Sequence, residues 1–417
     1  MAQVNRFDLS SAIYRITFTP ISIAPEVLHT PIGFNEIYSN AKSLRGWLAS
    51  KSDDMEQARK LTPEVAAQLV SAGMFRMNMP RAWDGPELTS MEQVLVIEEL
   101  SRGDASVGWC VMIGCDSGIY SGYLDDHVAR ELYPHLDMVQ AGWVYPVGRA
   151  EEIDGGYRVS GNWMFCSGSS HSDLIAAGCT VYRDGEPLLN KRGTPEWRLA
   201  IAPASQWEIK DTWYTTGLRG TGSNDYTTLS SHLVIPREHT FSFFEPKREG
   251  LLWKKADTLL RKMSGVPLGV ARQRIDDAKD ILAGKVDPLN QQQYKNQPRI
   301  KTAIADAEML LGSARSYVFS ALETQWGLLE KDIELNKQQR ADLWLSRLNA
   351  FQSARSIVRL LYDSIGGSAI YSRKGPMDRS IRDTETMCQH MVGQRKGLED
   401  IGALLLDSDE QSGSPMI

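Results

Sequence analysis

His390, Ser167 and Asp116 are the side chains of this sequence best placed to handle a proton. The imidazole of His390, with an ordinary pKa of about 6.5, can take or relay a proton at neutral pH. Its bland alternative is a helix-terminal histidine near Arg395 and Lys396 that answers the helix dipole. Met391 beside it is a thioether and cannot act as a base. Ser167 closes the run Trp163-Met164-Phe165-Cys166-Ser167-Gly168, which by itself reads as a turn at a strand end. Asp116 sits in the apolar run Cys110 to Gly118; its carboxylate can accept a proton, or be a solvated or locally capped group. Ser223 and Asn224 belong to the glycine-rich turn Gly220 to Asp225. That turn is not a dinucleotide fingerprint, because it neither follows a βαβ unit nor opens a helix. Gly312 and Arg315 share an exposed-looking helix face, and nothing ties them to a phosphate.

Composition narrows the partners. The chain has 417 residues, 42% apolar and 24% charged, with a net charge of −6, as in ordinary soluble globular proteins. Two or three domains, or one large layered unit, fit that length. An acidic balance argues against nucleic acid as the main partner. No apolar run is long enough to span a bilayer, and Met1 to Pro25 lacks the pattern of a signal peptide. Cys110, Cys115, Cys166, Cys179 and Cys388 form neither a CxxC pair nor a disulfide framework, so a reducing cytoplasm is expected. The histidines are scattered, and no metal site is expected.

The elements that must position these residues fall into blocks. Residues 1–30 are left as an unassigned N-terminal arm. Residues 31–137 read as a helical domain: Ala41, Leu44, Trp47 and Leu48 keep helical spacing, Val65 to Val70 stops at Gly73, and further helices cover Met91 to Leu100 and the stretch after Asp104. Residues 138–248 switch to short strands, among them Tyr157 to Gly161, Leu174 to Val181, Leu199 to Ala202 and His232 to Pro236. Residues 249–417 return to long helices, with one stripe through Ile304, Ala307, Leu311, Ala314, Val318 and Leu322 and another through Leu348, Phe351, Ala354, Val358, Leu361 and Ile365. Asn290 to Gln297 is a surface loop, and the tail after Asp407 frays. The fold class is therefore segregated α+β: helices, an antiparallel β-domain, then a helical bundle.

Four segments carry a specific resemblance, covering roughly residues 60 to 405. They are Met79 to Gly85 with Ile97 to Trp109; Gly155 to Gly168; Asp211 to Trp213 with Gly217 to Asp225; and Gly366 to Arg379 with Arg382-Asp383 and Gln389-His390. Together they resemble the acyl-CoA dehydrogenase fold, and within it the two-component monooxygenases that use reduced flavin from a separate reductase. Where the dehydrogenases have their catalytic carboxylate after the Arg-Asp pair, this chain has Met391; at the alternative place, before Pro267-Leu268-Gly269, it has Leu259.

The resemblance implies reduced FMN or FAD and O2 as cosubstrates, a homotetramer, and hydroxylation of an aromatic molecule of phenol or indole type through a flavin C4a-hydroperoxide. It places Ser167 at the flavin N5, with Phe165 and Cys166 lining the cofactor and Ser223 and Asn224 touching flavin or substrate. It sets Trp143 in the segment Trp143-Val144-Tyr145-Pro146, where the dehydrogenases have a Thr-Glu-Pro turn. His390 falls in the region of the dehydrogenase base. Some relatives carry a substrate-binding histidine in the helix where this chain has Asp116, which keeps indoles and amines open beside phenols. The competing expectations are N- or S-oxygenation on the same fold, an acyl-CoA dehydrogenase, and a non-catalytic helical assembly protein.

Overall fold

The computed structural model describes residues 33–191, 193–372 and 375–408; the expected N-terminal arm and the end of the tail lie outside them. Seven helices come first: α1 (Phe34–Ser50), α2 (Ser52–Ala58), α3 (Pro63–Ser71), α4 (Ser90–Gly103), α5 (Ala105–Gly114), α6 (Asp116–Ser121) and α7 (Asp126–Leu132). The starts follow from sequence chemistry. Thr62 caps α3 ahead of Pro63, and Thr89 with Glu92 closes a reciprocal capping box on α4. α5 is buried nearly all round, as its lack of a polar face requires. The apolar run from Cys110 to Gly118 is not one helix, because the chain turns at Cys115 and Asp116 opens α6.

Ten strands follow: β1 (Gln140–Ile153), β2 (Gly156–Ser160), β3 (Asn162–Cys166), β4 (Leu174–Arg183), β5 (Glu186–Pro187), β6 (Trp197–Pro203), β7 (Trp207–Lys210), β8 (Asn224–Thr228), β9 (Leu233–Pro236) and β10 (Thr240–Phe241). The larger sheet runs β10-β6-β4-β1-β2-β9, with β5 beside β4; the smaller runs β3-β8-β7. The β1–β4 pair is parallel, whereas the other pairs are antiparallel. Trp163, Trp207, Tyr226, Cys166 and Cys179 fill the β-domain core, and the Trp163 indole donates to Gly178 O at 2.8 Å.

The chain then forms α8 (Thr258–Arg261), α9 (Gly265–Gly284), α10 (Pro298–Glu330), α11 (Lys337–Ile365), α12 (Met377–Met387) and α13 (Gly397–Leu406). The two predicted apolar stripes lie inside α10 and α11; the α10 stripe with Ala354, Leu361 and Ile365 joins α9 in one core, while Phe351 and Val358 turn to the core shared with the first helices. The polar loop after α9 contains a single 3-10 turn, Tyr294–Asn296. Helices, β-domain and helical bundle thus appear in the expected order. Among the described residues, no helix is long and apolar enough to cross a membrane.

Asp104 ties the first block together. Its Oδ1 accepts from Ser106 N (2.8 Å) and Val107 N (3.1 Å) at the start of α5, and its Oδ2 accepts from Ser52 Oγ on α2 (2.6 Å). Asp104→Ala should cost about 1–2 kcal/mol or more of unfolding free energy in urea titration, and Asp104→Asn, which keeps an acceptor, less than half as much.

Candidate active site

Ser167 follows β3 and Ser223 precedes β8 at the same end of this antiparallel pair, where Cys166 faces Asn224, and the structure brings them together. Their hydroxyls share a hydrogen bond of 2.7 Å; Ser223 in turn shares one of 2.6 Å with Thr221, whose hydroxyl donates to Leu218 O at 2.8 Å. The direction of the chain is fixed, because a carbonyl only accepts and each hydroxyl has one proton. Thr221 spends its proton on Leu218, so Ser223 donates to Thr221 and Ser167 donates to Ser223. The Trp109 indole N–H on α5 donates to Ser167 Oγ at 3.1 Å. Ser167 is left with its proton committed and an acceptor lone pair remaining. The residue is an acceptor built into a buried site.

His390 lies three residues beyond the end of α12, and its ring meets the Trp109 ring edge-on, with centroids 5.3 Å apart. One indole thus touches both predicted catalytic residues. Val392 N–H donates to His390 Nδ1 at 3.4 Å, so the neutral imidazole carries its proton on Nε2. Burial lowers its pKa to about 4, helped by the charge of Arg347. The expectation of a group titrating near 6.5 is therefore corrected: at neutral pH His390 is an uncharged donor, neither a proton shuttle at its midpoint nor a cation on a helix end. Met391 is half-exposed and Leu259 is buried in the helical core, and neither is a base.

In front of the hydroxyls stand aromatic rings. A register shift between Trp163 and Cys166 bulges β3, and Phe165 adopts φ +58° there and is 47% exposed. Phe165 lies 5.5 Å from Trp143 on β1 and 6.2 Å from Trp213. Trp143 N–H donates to the Tyr226 hydroxyl (2.9 Å), while its indole N–H is sealed from solvent with no partner. An exposed aromatic edge, an orphaned indole donor and a buried acceptor fit a planar, polar heterocycle such as the flavin ring.

Three expected residues have different surroundings. Asn224 braces the next loop: its Oδ1 accepts from Thr212 N (3.1 Å) and Trp213 N (3.0 Å), and its Nδ2 donates to Gly222 O (3.3 Å). Cys166 turns its thiol into the core between the sheets, where burial raises its pKa, so only its backbone faces outward to a cofactor. Asp116 does not join the cluster. Its carboxylate pairs with the fully buried Lys262 at 2.5 Å. Burial raises the Asp116 pKa to about 6, against the opposing pull of that ammonium. An acid clamped by a buried lysine is not free to receive a substrate proton, which overturns the expectation of a catalytic Asp116.

Trp109 and Asp383 were given no role from the sequence. Asp383 Oδ1 accepts from Leu218 N at 2.6 Å and so holds the far end of the hydroxyl chain, where Leu218 has φ +48°. A Cβ on neighbouring Gly217 would lie 2.1 Å from Arg382 O, so this loop seats directly on α12.

The models of the acyl-CoA dehydrogenase N-terminal and C-terminal domains match residues 41–131 and 262–395. The chain is 28% identical to the indole-3-acetate monooxygenase of Acinetobacter baumannii, over 82% of this chain and 86% of that protein. It is 25% identical to the FADH(2)-dependent resorcinol hydroxylase, oxygenase component, of a Rhizobium species, over 85% and 92%. The crystal structure of the HsaA monooxygenase from M. tuberculosis superposes with a TM-score of 0.83 at 20% identity, over 93% of this chain and 100% of that one.

Asp383 makes a pH signature. Burial, then the nearby Asp104 carboxylate, raise its pKa to about 7, opposed by the Leu218 N–H, Arg379 and Arg382. A folded pKa above the unfolded one favours the fold at low pH and works against it as pH rises through 7. Asp383→Asn should therefore be more stable than the parent at pH 8, by about 2–4 kcal/mol, with the gap closing below pH 5 in urea titrations at each pH.

Proposed function

Because this chain belongs to the acyl-CoA dehydrogenase fold family, as the oxygenase component of a two-component flavin-dependent monooxygenase, we propose that it hydroxylates an aromatic acid of phenol or indole type. Reduced FMN or FAD, delivered by a separate reductase, would supply two electrons and two protons. One atom of O2 enters an aromatic C–H bond as hydroxyl, and the other leaves as water with those protons and electrons. The observation that carries the reading is the single indole of Trp109, hydrogen-bonded to Ser167 and edge-on to His390.

Each residue has a definite task in this reading. Trp143 and Phe165 would hold the ring of the flavin, and the free lone pair of Ser167 would accept a hydrogen bond from a donor on it. Ser223 and Thr221 keep the Ser167 proton pointed away, so that Ser167 acts as an acceptor. His390 offers Nε2–H to oxygen while uncharged. Asn224 acts by bracing the loop under Trp213, and Asp116 has no part beyond its pair with Lys262. Closure of the site around reacting groups excludes water and raises the strength of these contacts.

The curated relatives named above include an indole-3-acetate monooxygenase and a resorcinol hydroxylase, which support an aromatic substrate. A homotetramer is part of the proposal, as are domain limits near residues 137 and 248, between α7 and β1 and after β10. Five buried, unpaired cysteines suit a reducing compartment such as the cytoplasm.

The test is incubation with reduced FMN or FAD, O2 and a panel of phenolic and indolic acids, with product read by mass spectrometry. A gain of one oxygen on the ring is expected. No flavin binding and no oxygenated product across the panel would overturn the reading, and oxygen found on nitrogen or sulfur would redirect it. Ser167→Ala should lower the ratio of product to hydrogen peroxide about 10-fold or more, the worth of one buried hydrogen bond. Ser223→Ala, which only frees the direction of the Ser167 proton, should lower it by about 3-fold.

A further inference from the structure

Four cationic side chains are buried among the described residues: Arg76, Arg261, Lys262 and Arg347. Three of them meet a carboxylate, Arg76 with Asp137, Arg261 with Asp257 at 2.7 Å and Lys262 with Asp116 at 2.5 Å. Arg347 does not. It is 4% exposed, forms no ion pair among the described residues, and its Nη1 is sealed from solvent without a partner. Its guanidinium lies 5.4 Å from the Trp344 ring centroid.

The acid whose charge reaches Arg347 is Asp257, and that carboxylate is already occupied. Its Oδ1 takes two donors from Arg261 (3.1 and 2.7 Å), and its Oδ2 takes Gln325 Nε2 (2.7 Å). Burying a guanidinium without a hydrogen-bonded anion is expensive, and folded proteins keep such groups where a ligand completes them. Two further donors, one on the same helix as Arg347 and one beside Asp257 in sequence, are unpartnered. The indole N–H of Trp344, one turn before Arg347 on α11, and the hydroxyl of Thr258, next to Asp257, are both sealed without partners.

The position relative to the reaction centre is also defined. The charge of Arg347 reaches both His390 and Asp257. His390 in turn faces Trp109, which holds Ser167. An anion seated on Arg347 would therefore lie within electrostatic reach of the proton-handling end of the site.

We propose that Arg347 is the specificity-determining residue that binds the carboxylate of an aromatic acid, leaving the ring toward His390 and Ser167. This rests on the hydroxylase reading above and adds to it the charge of the substrate and the group that recognises it. The planar fork of the guanidinium matches a carboxylate with two parallel hydrogen bonds. A neutral aromatic would leave the buried Arg347 guanidinium unanswered.

The experiment compares the parent protein with Arg347→Met and Arg347→Lys, using indole-3-acetate and indole-3-acetamide as paired probes. Binding is measured by calorimetry on the flavin-free protein, and KM and kcat with reduced FMN and O2. The parent should prefer the acid; Arg347→Met should lose about 10- to 100-fold of that preference, chiefly in binding and KM, and Arg347→Lys should recover part of it. Arg347→Met should also keep or raise the melting temperature, since it removes an unpaired buried charge, whereas a structural arginine would lower it. Equal binding of acid and amide by the parent, or an unchanged preference in Arg347→Met, would overturn the proposal while ring hydroxylation still stands. Weaker binding of FMN than of riboflavin in Arg347→Met would overturn it differently, by assigning the guanidinium to the flavin phosphate. Selective acid binding without any oxygenated product would support the anion site and count against the hydroxylase reading.

Discussion

The directed hydroxyl chain from Leu218 O through Thr221 and Ser223 to Ser167 is the constraint on which the site depends. Its polarity is set at the far end by a carbonyl, which has no choice of role. Every proton after that has a determined direction, and Ser167 emerges as an acceptor. A serine on an ordinary turn would rotate its hydroxyl to suit any neighbour. Here the indole of Trp109 occupies one lone pair and Ser223 takes the proton. What remains is a preorganised receptor for an N–H, the kind of group that catalysis by fixed dipoles requires.

Much of the fold was legible because it rests on local rules. The periodic stripes of α1, α10 and α11, the stop after α3 and the alternation in β2 are visible in residue spacing, and the structure follows them. The break between α5 and α6 was not legible, because an apolar run does not say where it bends. The site divided along the same line. Ser167, Ser223, Phe165 and His390 were singled out from motifs and Trp143 from the segment before Pro146, and the structure sets Ser167 against Ser223 and Phe165 against Trp143. Trp109 lay inside a quoted motif without a role, since its partners are 58 residues away at Ser167 and far along the chain at His390. Asp116 was misjudged for a related reason: its lysine is 146 residues distant. The lowered pKa of His390 comes from burial, which no residue type discloses.

Buried charge organises the interior around these groups. Arg76 with Asp137, Arg261 with Asp257 and Lys262 with Asp116 join segments that are distant or adjacent in sequence. Such pairs add little net stability over apolar residues of the same volume, but breaking one exposes a naked ion to a low dielectric. They therefore enforce alignment more than they strengthen. Against that pattern, a guanidinium with no anion is a departure that the rest of the interior makes conspicuous.

Gly217 has a wider meaning than a close contact. Its lack of a side chain lets the loop bearing Leu218 rest on the backbone of Arg382 and Asp383, while the same helix leads on to His390. The serine and the imidazole, contributed by remote stretches of polypeptide, thus share one foundation. Their separation is a property of the scaffold, decided before any cofactor or substrate arrives. A visiting molecule must conform to a preset gauge, and selection among visitors becomes a matter of which ones span it.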